Sequence, residues 1–365
     1  MPYLTFINIR RYEMKKLLAS VLAASILILT LTACGSTTKP PASSSKSPGT
    51  PDSSGTANVY DTAELSYSIN GTSTSIEAQV ANLFKEKIET ATNGSITVNI
   101  FTDAQLAGGD LSNSVEAAQT GVMDIYCADG GVISALNPSL AAYMIPFTFA
   151  SYDDVDRVFN DTAGDYISSI LANYNLTFAT YAHNGLQCLT CSKVQLDDPA
   201  NFKNIKIRIS GSQLNIDTYT ALGADPSALN WGEVYTALQN GTFDAQSNSP
   251  ATIQSGNIHE VQKYLAVTRH MYGAFLISFY TPTFESFNEA TQELLMNTLK
   301  EASVEVNASV AANEDSILKG FEDAGMEVSY LTEEQVQAFK TALADVIEKY
   351  KAEYGAEACA AYQIS

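Results

Sequence analysis

The strongest constraint on the fold of this chain is a regular alternation of strand-like and helix-like segments. The segments follow in the order strand 67–70, helix 75–92, strand 96–100, helix 112–120 and strand 123–128. The strands are alternating or continuously apolar, and the first helix keeps Ile76, Val80, Phe84 and Ile88 on one face. This order predicts a largely parallel sheet with helices on its faces. In such sheets, ligands bind beyond the carboxyl ends of the strands.

A second set of alternating segments begins near Leu176 and predicts a second lobe. Its strands are 176–181, 186–190 and 205–209, and its helices are 214–222 and 232–238. Residues 288–319 contain no proline or glycine and carry a long apolar stripe, which predicts one long helix. A final helix is expected over residues 333–354. The sequence therefore predicts an α/β protein with two lobes.

The first 33 residues have the organisation of an export signal rather than of a folded element. Lys15 and Lys16 form the basic start, residues 17–31 are apolar, and residues 31–34 (LTAC) resemble the lipobox of bacterial lipoproteins. In that family the cysteine carries diacylglycerol after cleavage, so the resemblance implies lipidation of Cys34. A transmembrane anchor is the alternative, but it needs about 20 apolar residues. Met14 is the expected true start.

Residues 34–60 are predicted to be a lipidated tether, because their Ser, Thr, Pro and Gly composition cannot bury enough apolar surface to fold. The tether would hold the body at the cell membrane on its extracytoplasmic side. The formal net charge of −20 argues against nucleic acid as a partner. In so acidic a protein, a local cationic group has to attract any anionic ligand.

Cys188 and Cys191 form a CxxC pair, a spacing that elsewhere binds zinc or exchanges disulfides. No second CxxC and no nearby histidine completes a zinc site, and a strand would point the two thiols to opposite faces. We therefore expect buried thiols, no metal and no cofactor. The sequence also contains no HExxH, GxSxG or P-loop motif, which argues against an enzyme.

A series of linked motifs runs through the rest of the chain. They are residues 92–96 (TNGSI), 146–149 (PFTF), 204–208 (NIKIR), 222–226 (LGADP), 231–244 (WGEVYTALQNGTFD), 260–265 (EVQKYL) and 324–328 (AGMEV). Together they resemble the substrate-binding subunit of tripartite ATP-independent periplasmic (TRAP) transporters, the DctP-like family, over residues 65–354. The resemblance implies a two-lobed, periplasmic-binding-protein-like fold whose long helix spans both lobes. Lobe I is expected at 61–184 plus about 273–312, and lobe II at 185–272 plus about 313–365.

Arg208 lies near the end of an apolar strand, where a permanent charge is expensive to bury unless an anion meets it. A carboxylate suits the guanidinium because two parallel hydrogen bonds form at once. The pattern alone leaves open a structural salt bridge to one of the many acids. In TRAP receptors the arginine at this position holds the ligand carboxylate, so the resemblance implies that role for Arg208.

The resemblance also implies that Asn248 holds the carboxylate and that Trp231 packs against the ligand. Without the resemblance, Asn248 has a second interpretation as a cap for the turn before Pro250, and Trp231 has one as a core residue. Asn70 and Asp129 match family positions that line the cleft, and Asp129 follows a strand as expected there. Both are also compatible with simple turn roles.

Gln187 is a departure from the family, because many members carry an arginine two residues after the glycine that is Gly185 here. The pocket therefore has one cation fewer, and we expect a ligand with one carboxylate rather than two. Ser210 replaces a common proline. Tyr126 and Cys127 lie on a strand that leads to the pocket, but core packing is their expected role.

The sequence therefore predicts a binding protein that captures a small organic acid and delivers it to the small and large membrane subunits of a TRAP transporter. Two alternatives remain at this stage. A ligand-sensing lipoprotein for a signalling partner would use the same fold. A tethered secreted hydrolase would need a catalytic group that no motif provides.

Overall fold

The computed structural model describes residues 59–364. The predicted signal peptide (1–33), Cys34 and nearly all of the predicted tether (34–60) lie outside the described residues. Between residues 59 and 364, no helix is long and apolar enough to cross a membrane.

The strands and helices alternate along most of the described chain. The strands are β1 (Ala63–Ile69), β2 (Ile96–Phe101), β3 (Ile125–Asp129), β4 (Leu176–Leu186), β5 (Cys188–Cys191), β6 (Lys206–Ile209), β7 (Asp225–Ala228), β8 (Ala245–Asn248), β9 (Tyr264–Val267), β10 (Tyr272–Tyr280) and β11 (Glu327–Tyr330). The helices are α1 (Ile76–Ala91), α2 (Leu111–Gln119), α3 (Gly130–Ile133), α4 (Tyr152–Val158), α5 (Gly164–Leu171), α6 (Gln213–Ala221), α7 (Trp231–Gln239), α8 (Pro250–Ser255), α9 (Thr281–Ser286), α10 (Glu289–Asp323), α11 (Glu333–Ala342) and α12 (Ala344–Ala361).

The strands form two sheets, and each sheet contains one strand that runs against the others. The first sheet has the order β2-β1-β3-β10-β4, with β1 parallel to β2 and β3, and with β10 antiparallel to both its neighbours. The second has the order β11-β9-β5-β8-β6-β7, in which β5 is the antiparallel strand. The prediction of two mostly parallel sheets flanked by helices is therefore confirmed.

The chain passes from one sheet to the other at three places: between β4 and β5, between β9 and β10, and along α10. The segment 176–181, which begins the second set of alternating segments in the sequence, belongs to the first sheet, because β4 pairs with β10 along its length. The long helix is present as predicted. Its Leu295 and Leu299 pack in the core of the first sheet, and its Leu318 and Phe321 pack in a core of the second. The exact lobe boundaries stay a prediction.

The final segment is not the single helix that was predicted over 333–354. A capping box of Thr332 and Gln335 begins α11, and the backbone leaves the helical conformation at Leu343 (φ −101°, ψ 3°) before α12 starts. The side chain of Leu343 packs in a core of the second sheet, whereas Tyr350 packs in a core of the first. The break redirects the chain so that both apolar faces are buried.

Cys188 and Cys191 are free, buried thiols at the two ends of β5. Cys188 packs with Val234, and Cys191 packs in a separate cluster with Phe202. The two side chains therefore lie on opposite faces, as predicted. Within residues 59–364, no cluster of His, Cys, Asp and Glu side chains could hold a metal ion.

Candidate functional site

One cavity lies where the carboxyl ends of strands from both sheets meet. Its lining includes every predicted ligand-binding residue: Asn70, Asp129, Gln187, Arg208, Trp231 and Asn248. Glu77, Asn184, Ser210, Tyr219, Ser247 and Thr252 also line it. The structure thus brings the predicted residues together, and their role in binding stays a prediction.

The parallel strands explain why these side chains converge. Asn70 directly follows β1, Asp129 ends β3, Ser210 directly follows β6 and Asn248 ends β8. In an open α/β sheet the carboxyl ends of neighbouring parallel strands lie at one edge, so polar residues there face a common crevice. The sequence signal was local, because each polar residue comes after an apolar strand.

Arg208 is a buried cation without a carboxylate partner among residues 59–364. Arg208 is only 3% exposed, and no carboxylate of these residues lies within salt-bridge distance of its guanidinium group. Its Nε and Nη2 both donate to the Leu229 carbonyl oxygen, at 3.0 and 2.6 Å. Burial lowers the pKa of Arg208 to about 10, and the charge of Asp129 opposes that shift. The structural salt bridge considered from the sequence is therefore not what holds this residue.

Trp231 begins α7 and lies beside the guanidinium, whose carbon is 5.6 Å from the centre of the indole ring. The ring also lies against Gly256, where an added Cβ would be 2.6 Å from the indole. The absence of a side chain at Gly256 therefore lets the indole ring approach the backbone this closely. Trp231 therefore both packs against the protein and lines the cavity.

Amide and hydroxyl groups line the same cavity as the arginine. Ser247 Oγ donates to Gln187 Oε1 at 2.7 Å, which leaves Gln187 Nε2 without a hydrogen bond in the described part of the chain. Asn248 Nδ2 donates to Gln246 Oε1 at 2.7 Å. Asn248 does not cap the turn before Pro250, because Ser249 is the N-cap of α8.

Asp129 combines both roles that the sequence left open. Its Oδ1 accepts from the Gly131 amide at 2.9 Å, which caps α3, and from Ser210 Oγ at 3.1 Å. Its Oδ2 accepts from Asn184 Nδ2 at 3.3 Å. Burial raises the pKa of Asp129, and these donors together with Arg208 oppose the rise.

Glu77 is a cavity residue that the sequence reasoning missed. It lies in the first turn of α1 and is 3% exposed, and its Oε1 accepts from the Asn70 amide at 3.3 Å. A Cβ added to Gly71 would lie 2.0 Å from Glu77 Oε2, so only glycine allows this approach. Burial, and then the charge of Asp129, raise the pKa of Glu77 to about 8.

Tyr126 and Cys127 are fully buried and do not line the cavity, so their predicted core role is confirmed. Tyr219, also missed, lines the cavity and shares a hydrogen bond of 2.9 Å with His270 Nε2. Nothing in the local sequence around Tyr219 distinguishes it from the other tyrosines of the chain.

Comparison with known proteins identifies the family. The model of DctP, described as bacterial extracellular solute-binding protein, family 7, matches residues 67–353. The chain belongs to this family. The predicted membership among TRAP solute-binding proteins is therefore confirmed, and the protein is a binding protein rather than an enzyme.

Individual relatives are distant in sequence and close in fold. The chain is 27% identical over 267 residues to the 2,3-diketo-L-gulonate-binding periplasmic protein YiaO of Escherichia coli K12, covering 73% of this chain and 80% of that protein. A TRAP periplasmic solute-binding protein from Ralstonia eutropha H16 with bound (S)-2-acetolactate superposes with a TM-score of 0.79 at 23% identity, covering 82% and 98% of the two chains. One from Sulfurospirillum deleyianum with bound succinate gives 0.76 at 21% identity, with the same coverage.

Proposed function

We propose that this DctP-family protein is a lipoprotein receptor that captures a small organic acid by a single carboxylate and delivers it to a TRAP transporter. Arg208 is the residue that holds the carboxylate, with Asn248 and Gln187 beside it and Trp231 against the ligand. The single observation that carries the proposal is that Arg208 is buried with no carboxylate partner in the described chain. A guanidinium in that position is costly until an anion meets it.

The ligands of the relatives are consistent with this proposal. The three relatives bind diketogulonate, acetolactate and succinate. Each of these ligands carries at least one carboxylate, and the ligands differ in the rest of their structure. A carboxylate can accept from the two Nη1 N–H groups and the second Nη2 N–H of Arg208, because Leu229 uses only the Nε–H and one Nη2–H. Gln187 adds an uncharged donor where a second arginine would favour a second carboxylate.

The size of the cavity favours a compact ligand. The cavity has a volume of about 70 Å³. One water needs roughly 10–15 Å³, so the cavity holds on the order of five waters. An acid with a short carbon chain fits this volume.

The anchor and the partner are proposed from the sequence. The lipobox at residues 31–34 supports attachment through Cys34, and the Ser- and Pro-rich segment after it supports a tether at the extracytoplasmic face of the cell membrane. Membership in the family supports delivery to the small and large TRAP membrane subunits. Loss of the protein from the membrane fraction in a Cys34→Ser variant would test the anchor.

A thermal-shift screen of organic acids on wild type, Arg208→Ala and Arg208→Lys tests the binding site. Losing one member of a buried charge pair costs about 2–5 kcal/mol, so we expect Arg208→Ala to lose about 30-fold or more in affinity. Arg157→Ala is the matched control, since Arg157 is an exposed arginine paired with Asp154. Ligand stabilisation that survives unchanged in Arg208→Ala would remove this arginine from the site.

A further inference from the structure

The two walls of the cavity differ in hydrogen-bonding character. Arg208 and the Gln187 amide nitrogen, on the side of the second sheet, offer donors. The residues at the strand ends of the first sheet, Asn70 and Asp129, offer oxygen acceptors. A ligand that matches both walls needs an acceptor at one end and donors at the other.

A buried relay determines which end of the Asn70 amide is free. Ser114 Oγ donates its one proton to the Leu111 carbonyl oxygen at 2.6 Å, so Tyr126 must be the donor in the 2.7 Å bond between Tyr126 and Ser114. The Tyr126 oxygen then accepts from Asn70 Nδ2 at 3.4 Å. The relay therefore fixes Asn70 with its nitrogen toward Tyr126 and its oxygen free.

The free oxygen is an unused acceptor in a buried residue. Asn70 is 8% exposed and lines the cavity, and its Oδ1 has no hydrogen-bond partner within residues 59–364. A buried acceptor without a donor costs about 1–3 kcal/mol, so native proteins pair such groups with water or with a ligand. This group favours a donor from the ligand.

The carboxyl group of Asp129 on the same wall disfavours a second anion. Asp129 Oδ2 accepts one protein hydrogen bond, from Asn184, and retains lone pairs for a ligand donor. A ligand carboxylate at this end would bring like charges together in a desolvated site.

We propose that the ligand is a monocarboxylate whose other end carries hydrogen-bond donors, hydroxyl or ammonium groups, that bind to Asn70 Oδ1 and Asp129 Oδ2. This inference rests on the proposed function, since it takes the carboxylate at Arg208 as one end of the ligand. Asn70 and Asp129 select the ligand by accepting hydrogen bonds from it, and the Asp129 carboxyl group disfavours a second carboxylate. Tyr126 is a positioning residue that acts only through the orientation of the Asn70 amide.

Calorimetric titration with acids of equal carbon number tests the proposal. The C4 series is butyrate, succinate, erythronate and 4-aminobutyrate, and hexanoate and gluconate form a longer pair. We expect erythronate or 4-aminobutyrate, or gluconate in the longer pair, to bind at least about tenfold more tightly than the acids without donors. Erythronate and 4-aminobutyrate distinguish hydroxyl from ammonium as the donor. Succinate or butyrate binding as tightly as both donor-bearing C4 acids would overturn the proposal.

Two variants separate recognition from folding. Asn70→Leu should reduce the preference for the donor-bearing acid over butyrate about tenfold. Tyr126→Phe should reduce the same preference, because the amide is then free to turn its nitrogen toward the cavity. Asn99→Leu, at an exposed asparagine on β2, is the matched control. An unchanged preference in both Asn70→Leu and Tyr126→Phe would overturn the assignment.

The outcome also distinguishes this inference from the function on which it rests. If no acid of either length binds to the wild type, the carboxylate receptor itself is wrong. If acids bind in an Arg208-dependent manner but without any preference for donors, only the inference about the opposite wall is wrong.

Discussion

Ser210 Oγ donates a hydrogen bond to Asp129 Oδ1 over 3.1 Å, and this bond joins the end of β6 in the second sheet to the end of β3 in the first. The backbones are also close at this point, because a Cβ on Gly131 would lie 3.1 Å from Ser210 Oγ and 3.5 Å from the Gly211 carbonyl oxygen. The bond therefore closes one side of the cavity. A proline, common at this position in the family, has no hydroxyl to make it.

Replacement of Ser210 by alanine should weaken ligand binding without altering the ligand contacts of Arg208. A net hydrogen bond contributes about 0.5–1.5 kcal/mol, so we expect affinity to fall about two- to tenfold, mostly through faster release. Calorimetry and stopped-flow dissociation measure the two quantities. Ser316→Ala, at an exposed serine on α10, is the control. Unchanged release kinetics in Ser210→Ala would mean that the bond does not stabilise the closed cavity.

The parts of the site at strand ends were predictable from the sequence, because the signal there is local. Asn70, Asp129 and Arg208 are polar residues within or directly after apolar strands, and parallel strands bring such residues to one edge. The resemblance to the family then predicted ligand-binding roles for Arg208, Asn248 and Trp231, and it left turn roles open for Asn70 and Asp129. It also identified Gln187 and Ser210 as departures from the common pattern.

Features that depend on distant packing were not predictable in this way. Glu77 has the sequence context of an exposed acid in a first helical turn, and it is buried only because Gly71 lets the backbone approach it. The pairing of β4 with β10 joins segments far apart in the chain, which no local pattern specifies. Likewise, Leu343 interrupts the last helix without a proline or glycine, because two cores compete for the apolar residues on either side.

The stability of the protein should depend on pH through Glu77. The pKa of Glu77 is about 8 in the folded protein, against an ordinary value of 4.5. Because the pKa is raised in the folded protein, Glu77 makes its full contribution to stability below about pH 4.5. This contribution is lost as the pH rises through 8. The Glu77→Gln variant has no titrating group at this position. Its melting temperature should therefore rise relative to that of the wild type as the pH increases from 5 to 8.

Melting curves of both proteins at half-unit pH steps measure this difference. His183 and His270, whose pKa values are lowered by burial to about 4, affect both proteins equally and cancel in the comparison. Above about pH 8.5 the two curves should run parallel. Parallel curves over the whole range would show that Glu77 does not titrate in this window.

Thiol labelling should distinguish the cysteines of the body by burial. Cys127, Cys188 and Cys191 are buried and free, and burial raises the pKa of each thiol, so they should not react in the native protein. Cys359 is partly exposed and should react. In a Cys34→Ser background we expect one native thiol to titrate with an aromatic disulfide reagent, and four after unfolding. Native reaction that persists after Cys359→Ser would contradict this assignment.

The ion pair of Arg269 and Glu314 should be the most sensitive contact at the crossing between the sheets. Arg269 lies on the connection from β9 to β10, and its Nη2 donates to Glu314 Oε1 of α10 at 2.6 Å. The Tyr152 hydroxyl donates to the other oxygen of Glu314, also at 2.6 Å. The Glu314 side chain is 6% exposed and that of Arg269 is 45% exposed. The buried Glu314 carboxylate is thus neutralised by an arginine that is itself partly exposed to water.

Arg269→Ala should reduce the free energy of unfolding in urea by about 2–3 kcal/mol, below the range for fully buried pairs because water reaches one side of the arginine. Lys319→Ala is the matched control, because Lys319 forms an exposed pair with Asp323 that should contribute less than about 1 kcal/mol. Adding Glu314→Gln to Arg269→Ala removes the stranded charge and should recover part of the loss. Equal losses for Arg269→Ala and Lys319→Ala would show that water compensates fully for the missing arginine, and that the crossing is held by packing rather than by this charge pair.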